Sequence, residues 1–183
     1  MFFSIVWLTL QRKIITFAPM RTHLPFFATM IGSGFGSGFW PWGPGTAGAL
    51  LATVIWIVLG LWLPATALAW TTLVLCVVFT VIGTWATARL QPYWGDDPSR
   101  VVVDEMVGVW VPLVVCPHGS IAYAAAAFVL FRFFDILKPL GIRALDRRVG
   151  AFWVMADDLL AGIYSLIIII IISLMMDILL LTR

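Results

Sequence analysis

The chain has 183 residues, of which 62% are hydrophobic and only 11% charged, with a formal net charge of +2. A soluble domain is about 45–50% apolar and about 25% charged, so this composition excludes an ordinary water-soluble globule, and its hydrophobicity excludes disorder. Two cysteines in apolar runs do not make a disulfide scaffold, and no dense basic tract supports nucleic-acid binding. One small integral membrane domain is left.

In chain order, residues 1–44 read as an N-terminal anchor and a Gly-rich segment. Residues 1–10 are apolar, with Arg12 and Lys13 after them. A secretory signal carries its basic residues first, so an interfacial or tucked-in anchor is expected instead. Residues 32–48, GSGFGSGFWPWGPGTAG, contain seven glycines and the hydroxyls of Ser33, Ser37 and Thr46. The segment is neither a P-loop nor GxGxxG. Two readings stand: a helix-breaking stretch packed on its neighbours, or a nest of N–H groups for a phosphate, with Thr46 near the next helix start.

Residues 45–88 predict a first hairpin, uncharged from 45 to 63, broken at Pro64, and uncharged again up to Arg89. Residues 89–105 form a polar loop. Residues 106–137 predict a second hairpin: 106–116 is apolar but interrupted by Pro112, Pro117-His118-Gly119 is a turn, and 120–131 runs apolar to Arg132 and Asp135. Pro139 should stop that helix near Leu137. Residues 138–158 form a second polar loop, and residues 159–181 the last helix. The predicted fold is all-α, a polytopic integral membrane helical bundle of about five membrane helices. Every charged residue except Asp177 and Arg183 then falls on one side, which the positive-inside rule makes cytoplasmic.

The carboxylates gather where apolar helices begin or end. Asp104-Glu105 opens one helix, Asp135 sits in the last turns of another, and Asp157-Asp158 is expected to open the last. They are either interfacial caps favoured by the helix dipole or ligands for a hard cation such as Mg²⁺. Arg132 and Asp135 share a helix face, as a local ion pair or as a cation beside a metal ligand. Lys138 follows. Arg143, Arg147 and Arg148 suit anionic headgroups. Asp96 and Asp97 are second-rank candidates. His23 and His118 are far apart, which argues against a multi-histidine zinc centre, and no Ser nucleophile elbow occurs. Cys76 and Cys116 read as packing residues.

Four segments carry a family resemblance: Gly36-Ser37-Gly38 through Pro41 to Pro44-Gly45-Thr46-Ala47-Gly48; Asp104-Glu105-Met106-Val107-Gly108; Phe131-Arg132 through Asp135 to Lys138-Pro139; and Met155-Ala156-Asp157-Asp158 to Ala161-Gly162. They are similar to the GSGxxPxxPGTxG, DExxG, FRxxDxxKP and MxDDxxAG motifs of phosphatidylglycerophosphatase A, in the same order, over roughly residues 34–162. Leu140-Gly141-Ile142 after Lys138-Pro139, the bulky Phe152-Trp153 and Ala49 depart from the family pattern. The resemblance implies a Mg²⁺-dependent phosphatase of the bacterial inner membrane with its active site facing the cytoplasm. It would convert phosphatidylglycerophosphate to phosphatidylglycerol and inorganic phosphate, a reaction of phospholipid biosynthesis. On that reading Asp104, Glu105, Asp135, Asp157 and Asp158 are the metal ligands, and Asp104, Glu105, Asp135 and Asp158 are catalytic. Arg132, Lys138 and Thr46 hold the substrate phosphate. The alternatives are another Mg-dependent lipid phosphotransferase, whose Asp-Gly and Ala-Arg signature is missing, and a small membrane carrier, whose carboxylates should lie at mid-membrane depth.

Overall fold

The structure is a computed structural model that describes residues 24–182, so the expected anchor at 1–10 and the basic group Arg12, Lys13 and Arg21 lie outside the described residues. The described residues form seven helices and no strand: α1 (Phe26–Gly32), α2 (Pro44–Gly60), α3 (Ala65–Trp94), α4 (Val103–Leu113), α5 (Ile121–Leu137), α6 (Ile142–Asp146) and α7 (Ala151–Leu181), with a 3₁₀ turn at Ser37–Phe39. The all-helical expectation holds.

Proline and small polar residues set the boundaries. Pro44 occupies the first position of α2, where its missing N–H costs nothing. Pro64 separates α2 from α3. The Ser120 hydroxyl accepts the Tyr123 N–H at the start of α5. At the other end of α5, Lys138 turns into the left-handed region (φ 47°) just before Pro139.

Two boundaries differ from expectation. Helix α3 runs past Arg89 to Trp94, with Pro92 in its last turn. Helix α7 begins at Ala151, so Asp157-Asp158 lies in its second turn and not at its opening. The number of candidate spans also differs. Among the described residues, only α3 and α7 are long and apolar enough to cross a membrane, against about five expected. At 17 residues, α2 and α5 reach only about 26 Å, and α4, at 11 residues, about 17 Å, against a hydrocarbon core of about 30 Å. Pro112 and Pro117 curtail the apolar run behind α4, and the last turns of α5 carry Arg132 and Asp135.

The central element is α4. All its residues but Glu105 and Val111 are buried, and it packs on α7, α2 and α3. The Trp110 indole N–H donates to the Ala52 carbonyl of α2 at 3.0 Å, and its ring meets Phe79 of α3 edge-on at 5.3 Å. Helices α4 and α7 touch through backbone: a Cβ on Gly162 would lie 2.4 Å from the Gly108 carbonyl oxygen. The buried hydroxyls of Thr53, Thr72 and Ser165 donate to carbonyls one turn back, while that of Thr87 has no partner.

The two tight turns meet at one end, where the His118 Nε2–H donates to the Leu63 carbonyl at 2.9 Å. The charged loops gather at the other. Between them the exterior is apolar: α3 exposes Trp70, Val74, Val77 and Val81, and α7 exposes Ile163, Ile167 and Ile171. A contiguous surface of this kind is unfavourable in water.

The Gly108–Gly162 contact has a direct test. Gly162→Ala pushes α7 away from the α4 backbone and should cost about 1–3 kcal/mol, read as a lowered unfolding temperature in detergent. Gly60→Ala meets only Leu68 at 3.4 Å, an ordinary contact, and should leave that temperature unchanged.

Candidate active site

A cavity of about 330 Å³ opens at the charged end. Each wall comes from a different element. Asp96 and Asp97 come from the loop after α3, and Asp104 and Glu105 from the first turn of α4. Asp135 and Lys138 come from the end of α5, Asp146 from α6, Arg147 and Arg148 from the loop beyond it, and Asp157 and Asp158 from α7. Thus all five expected metal ligands, together with Lys138, meet in one place.

Asp104, Glu105 and Asp158 come closest together. One oxygen from each lies within 4.8 Å of the others. Asp104 and Asp158 are buried and Glu105 is partly buried. The Asp104 carboxylate also accepts the Glu105 N–H at 3.1 Å, and both residues sit at the helix end where negative charge is favoured. One carboxylate oxygen of Glu105, Oε2, is buried without a partner. Three carboxylates this close do not all stay ionised unless a cation joins them. Oxygen donors alone, without His or Cys, suit a hard divalent ion. The residues present therefore fit such an ion.

Successive residues of a helix point about 100° apart, and the adjacent acidic pair on α7 divides accordingly. Asp158 joins the three-carboxylate group, while Asp157 accepts a hydrogen bond from the Lys138 ammonium at 2.7 Å. Lys138 also donates to Asp146. Burial alone would lower the Lys138 ammonium, but its hydrogen bonds to Asp146 and Asp157 outweigh that and hold it above the ordinary lysine value. Lys138 thereby ties α5, α6 and α7 together.

Arg132 pairs with Asp135, as their spacing predicts, but it stands behind the cavity wall and does not line the cavity. It abuts Gly45 of α2. A Cβ there would lie 2.0 Å from Glu105 Oε1 and 3.2 Å from an Arg132 guanidinium nitrogen, so only glycine lets α2 pass this close. Thr46, the next residue, is exposed and lines an apolar groove with Trp40, Trp42 and Leu50; the structure does not bring it to the cavity. Within the Gly-rich segment, the N–H groups of Gly36, Ser37, Gly38 and Phe39 donate to nearby carbonyls of the same segment. Those four N–H groups are committed, so this part of the stretch is packed on itself.

Asp146, Arg147 and Arg148 were not singled out for this cavity by sequence. Arg148 stacks on Trp153, 4.2 Å from the ring centroid. Asp146 carries no periodic or motif signal, since it meets Lys138 only because the short α6 folds back. Asp96 and Asp97, ranked second, do line the cavity.

These residues on this scaffold suit one class of protein, a helical phosphatase acting on a lipid. The family model described as phosphatidylglycerophosphatase A matches residues 30–173. The chain belongs to the phosphatidylglycerophosphatase A family. It is similar to a Bacteroides thetaiotaomicron protein described as "Putative phosphatidylinositol-3-phosphatase", 58% identical over 79% of this chain and 92% of that one. It is also similar to the phosphatidylglycerophosphatase A of Escherichia coli, 36% identical over 74% of this chain and 77% of that one. The Haemophilus influenzae phosphatidylglycerophosphatase A is 37% identical over 76% and 85%. No solved structure matches the chain.

Lys138→Met leaves the buried Asp157 without a cation and should destabilise the protein by about 2–4 kcal/mol, seen as a lowered unfolding temperature in detergent. Lys138→Arg should keep most of that stability.

Proposed function

We propose that this protein hydrolyses the phosphomonoester of phosphatidylglycerophosphate, giving phosphatidylglycerol and inorganic phosphate, with Mg²⁺ as its metal. The observation that carries the reading is the meeting of Asp104, Glu105 and Asp158 beside Lys138 in one cavity, in a chain of this family. Asp104, Glu105 and Asp158 would hold the metal, with Asp135 and Asp157 next to them. Bound there, Mg²⁺ would offset phosphoryl charge and make a water acidic enough to attack.

The chain's own groups do the rest. Lys138 and Arg147 hold the phosphate oxygens, one as a point charge and one as a fork. Arg132 fixes Asp135 through their ion pair. A carboxylate of the cluster takes the attacking water's proton. The water oxygen bonds to phosphorus, the bond from phosphorus to the glycerol oxygen breaks, and that oxygen leaves as a hydroxyl carrying the proton that the carboxylate took from the water. Asp157, tied to Lys138, aims the ammonium.

The site lies at the end of the bundle that carries Arg89, Arg100, Lys138, Arg143, Arg147 and Arg148, opposite the Leu63–His118 turns. We place the protein in the bacterial inner membrane as a multi-pass bundle with this end cytoplasmic. In that placement α2, α4 and α5 enter the bilayer beside α3 and α7, packed against protein over part of their length. The acyl chains stay in the bilayer while the phosphate reaches the cavity at the interface. A second reading, a phosphatidylinositol monophosphate as substrate, is favoured by the name of the Bacteroides relative.

Purified protein should release phosphate from phosphatidylglycerophosphate with Mg²⁺ and stop when the metal is removed by EDTA. Asp158→Asn should lower that rate by about 100-fold or more. Release without any divalent metal would overturn the metal assignment, and no release under any metal would overturn the reaction. Gly45→Ala drives a methyl into Glu105 and should lower the rate by about tenfold or more, while Thr46→Ala should change it less than about twofold. Parallel assays on phosphatidylinositol 3-phosphate would decide between the two substrates.

A further inference from the structure

A second, smaller hollow of about 240 Å³ adjoins the cavity, walled by Tyr93 and Trp94 at the end of α3 and by Pro98, Ser99 and Arg100. Pro98 and Ser99 line both spaces, so the two are neighbours across that dipeptide. Arg100 supplies the hollow's cation. Among the described residues its guanidinium has no carboxylate partner, in contrast to Arg132 and Lys138. It stands over the Phe39 ring instead, 5.8 Å from the centroid.

The backbone beneath it is held firmly. A Cβ on Gly38 would lie 2.2 Å from the Arg100 carbonyl oxygen, so the Gly-rich segment presses directly on this residue. The Val101 N–H donates to the Pro98 carbonyl, and the Val102 N–H to the Gly32 carbonyl, each at 2.8 Å. Arg100 is thus an exposed cation on a firmly held backbone, with no carboxylate partner among the described residues, beside a cavity crowded with carboxylates. Tyr93 and Trp94 next to it are side chains typical of the headgroup level of a bilayer.

We propose that this hollow is the subsite for the phosphodiester of the lipid headgroup, with Arg100 as the residue that recognises it. The inference rests on the lipid-phosphatase reading above. Phosphatidylglycerophosphate carries two phosphates separated by glycerol: the monoester that is cleaved and the diester that joins the headgroup to diacylglycerol. The main cavity supplies the carboxylate cluster and Lys138 to the monoester. The diester has one negative charge shared by two free oxygens, and a guanidinium fork matches that pair. A phosphatidylinositol monophosphate carries the same diester, so the subsite serves either polyol. Phosphatidic acid has no diester and gains nothing from it.

The product, phosphatidylglycerol, keeps the diester and lacks the monoester, so it probes this subsite alone. The test is calorimetric titration of the full-length protein in detergent with water-soluble dihexanoyl phosphatidylglycerol, and separately with inorganic phosphate. Arg100→Gln should weaken phosphatidylglycerol binding by about tenfold and leave phosphate binding unchanged. Arg100→Lys should recover part of the loss. Arg89→Gln removes an equal charge outside the hollow and should have no effect. The proposal is overturned if wild type does not bind the lipid, if Arg100→Gln binds it as wild type does, or if Arg89→Gln weakens it equally. It also falls if Arg100→Gln loses phosphate binding to the same degree. The titration needs no turnover, so a protein that released no phosphate from phosphatidylglycerophosphate would sink the reaction while this comparison still judged the subsite.

Discussion

Asp104, Glu105 and Asp158 bring three carboxylates from two helices within 4.8 Å of one another at the end of an otherwise apolar bundle. Such a cluster is unfavourable by itself, and the surrounding structure is shaped to hold it. Glu105 has room only because α2 presents Gly45 to it. Asp158 reaches the same point because α7 and α4 approach backbone to backbone at Gly162 and Gly108. Thicker residues at any of these contacts would separate the helices and disperse the acids. Close packing through glycine and placement of charge are one constraint here.

Lys138 is the counterweight on the other side of the cavity. It sits in the left-handed region, which a residue with a side chain adopts at a cost and keeps when its surroundings hold it there. The hold comes from Asp146 and Asp157. The Asp157-Asp158 pair therefore serves two centres from adjacent positions, one the cation and one the acid cluster. A helix interior permits this because neighbouring residues diverge by about 100°; a pair at the fraying first turn would hold its directions less well. The early start of α7 at Ala151 is what puts the pair inside the helix.

Much of this was legible in the sequence, for physical reasons. Pro64, Pro117 and Pro139 announced helix ends because proline cannot donate and constrains its predecessor. The acids stood out because charge is so scarce in this chain. What escaped was whatever depends on tertiary return. Asp146 meets Lys138 only through the short α6, which no periodicity marks. Thr46, expected at the phosphate from its place in a motif, is exposed beside an apolar groove, one residue on from the Gly45 that faces Glu105. The span count differs for another reason: apolar composition marked about five segments, one of them the short 106–116 run, while only α3 and α7 among the described residues have the length as well as the composition to span. A helix as short as α4 crosses a bilayer only when protein covers its ends.

The Gly-rich segment shows how one pattern can serve two ends. Glycine runs can expose N–H groups to a phosphate or remove side chains so that backbones touch, and sequence alone does not separate these uses. Here the N–H groups of residues 36–40 are spent on carbonyls within the segment, and the missing side chains admit the chain at Arg100 and Val102. The segment still acts on the site, by fixing the approach to α4 from behind. Arg100 and Asp104 lie four residues apart on that approach, one facing the small hollow and one the acid cluster. A displacement of this stretch would move Arg100 and an acid of the cluster together. That shared support is a physical reason for the glycines to lie next to the carboxylate cluster.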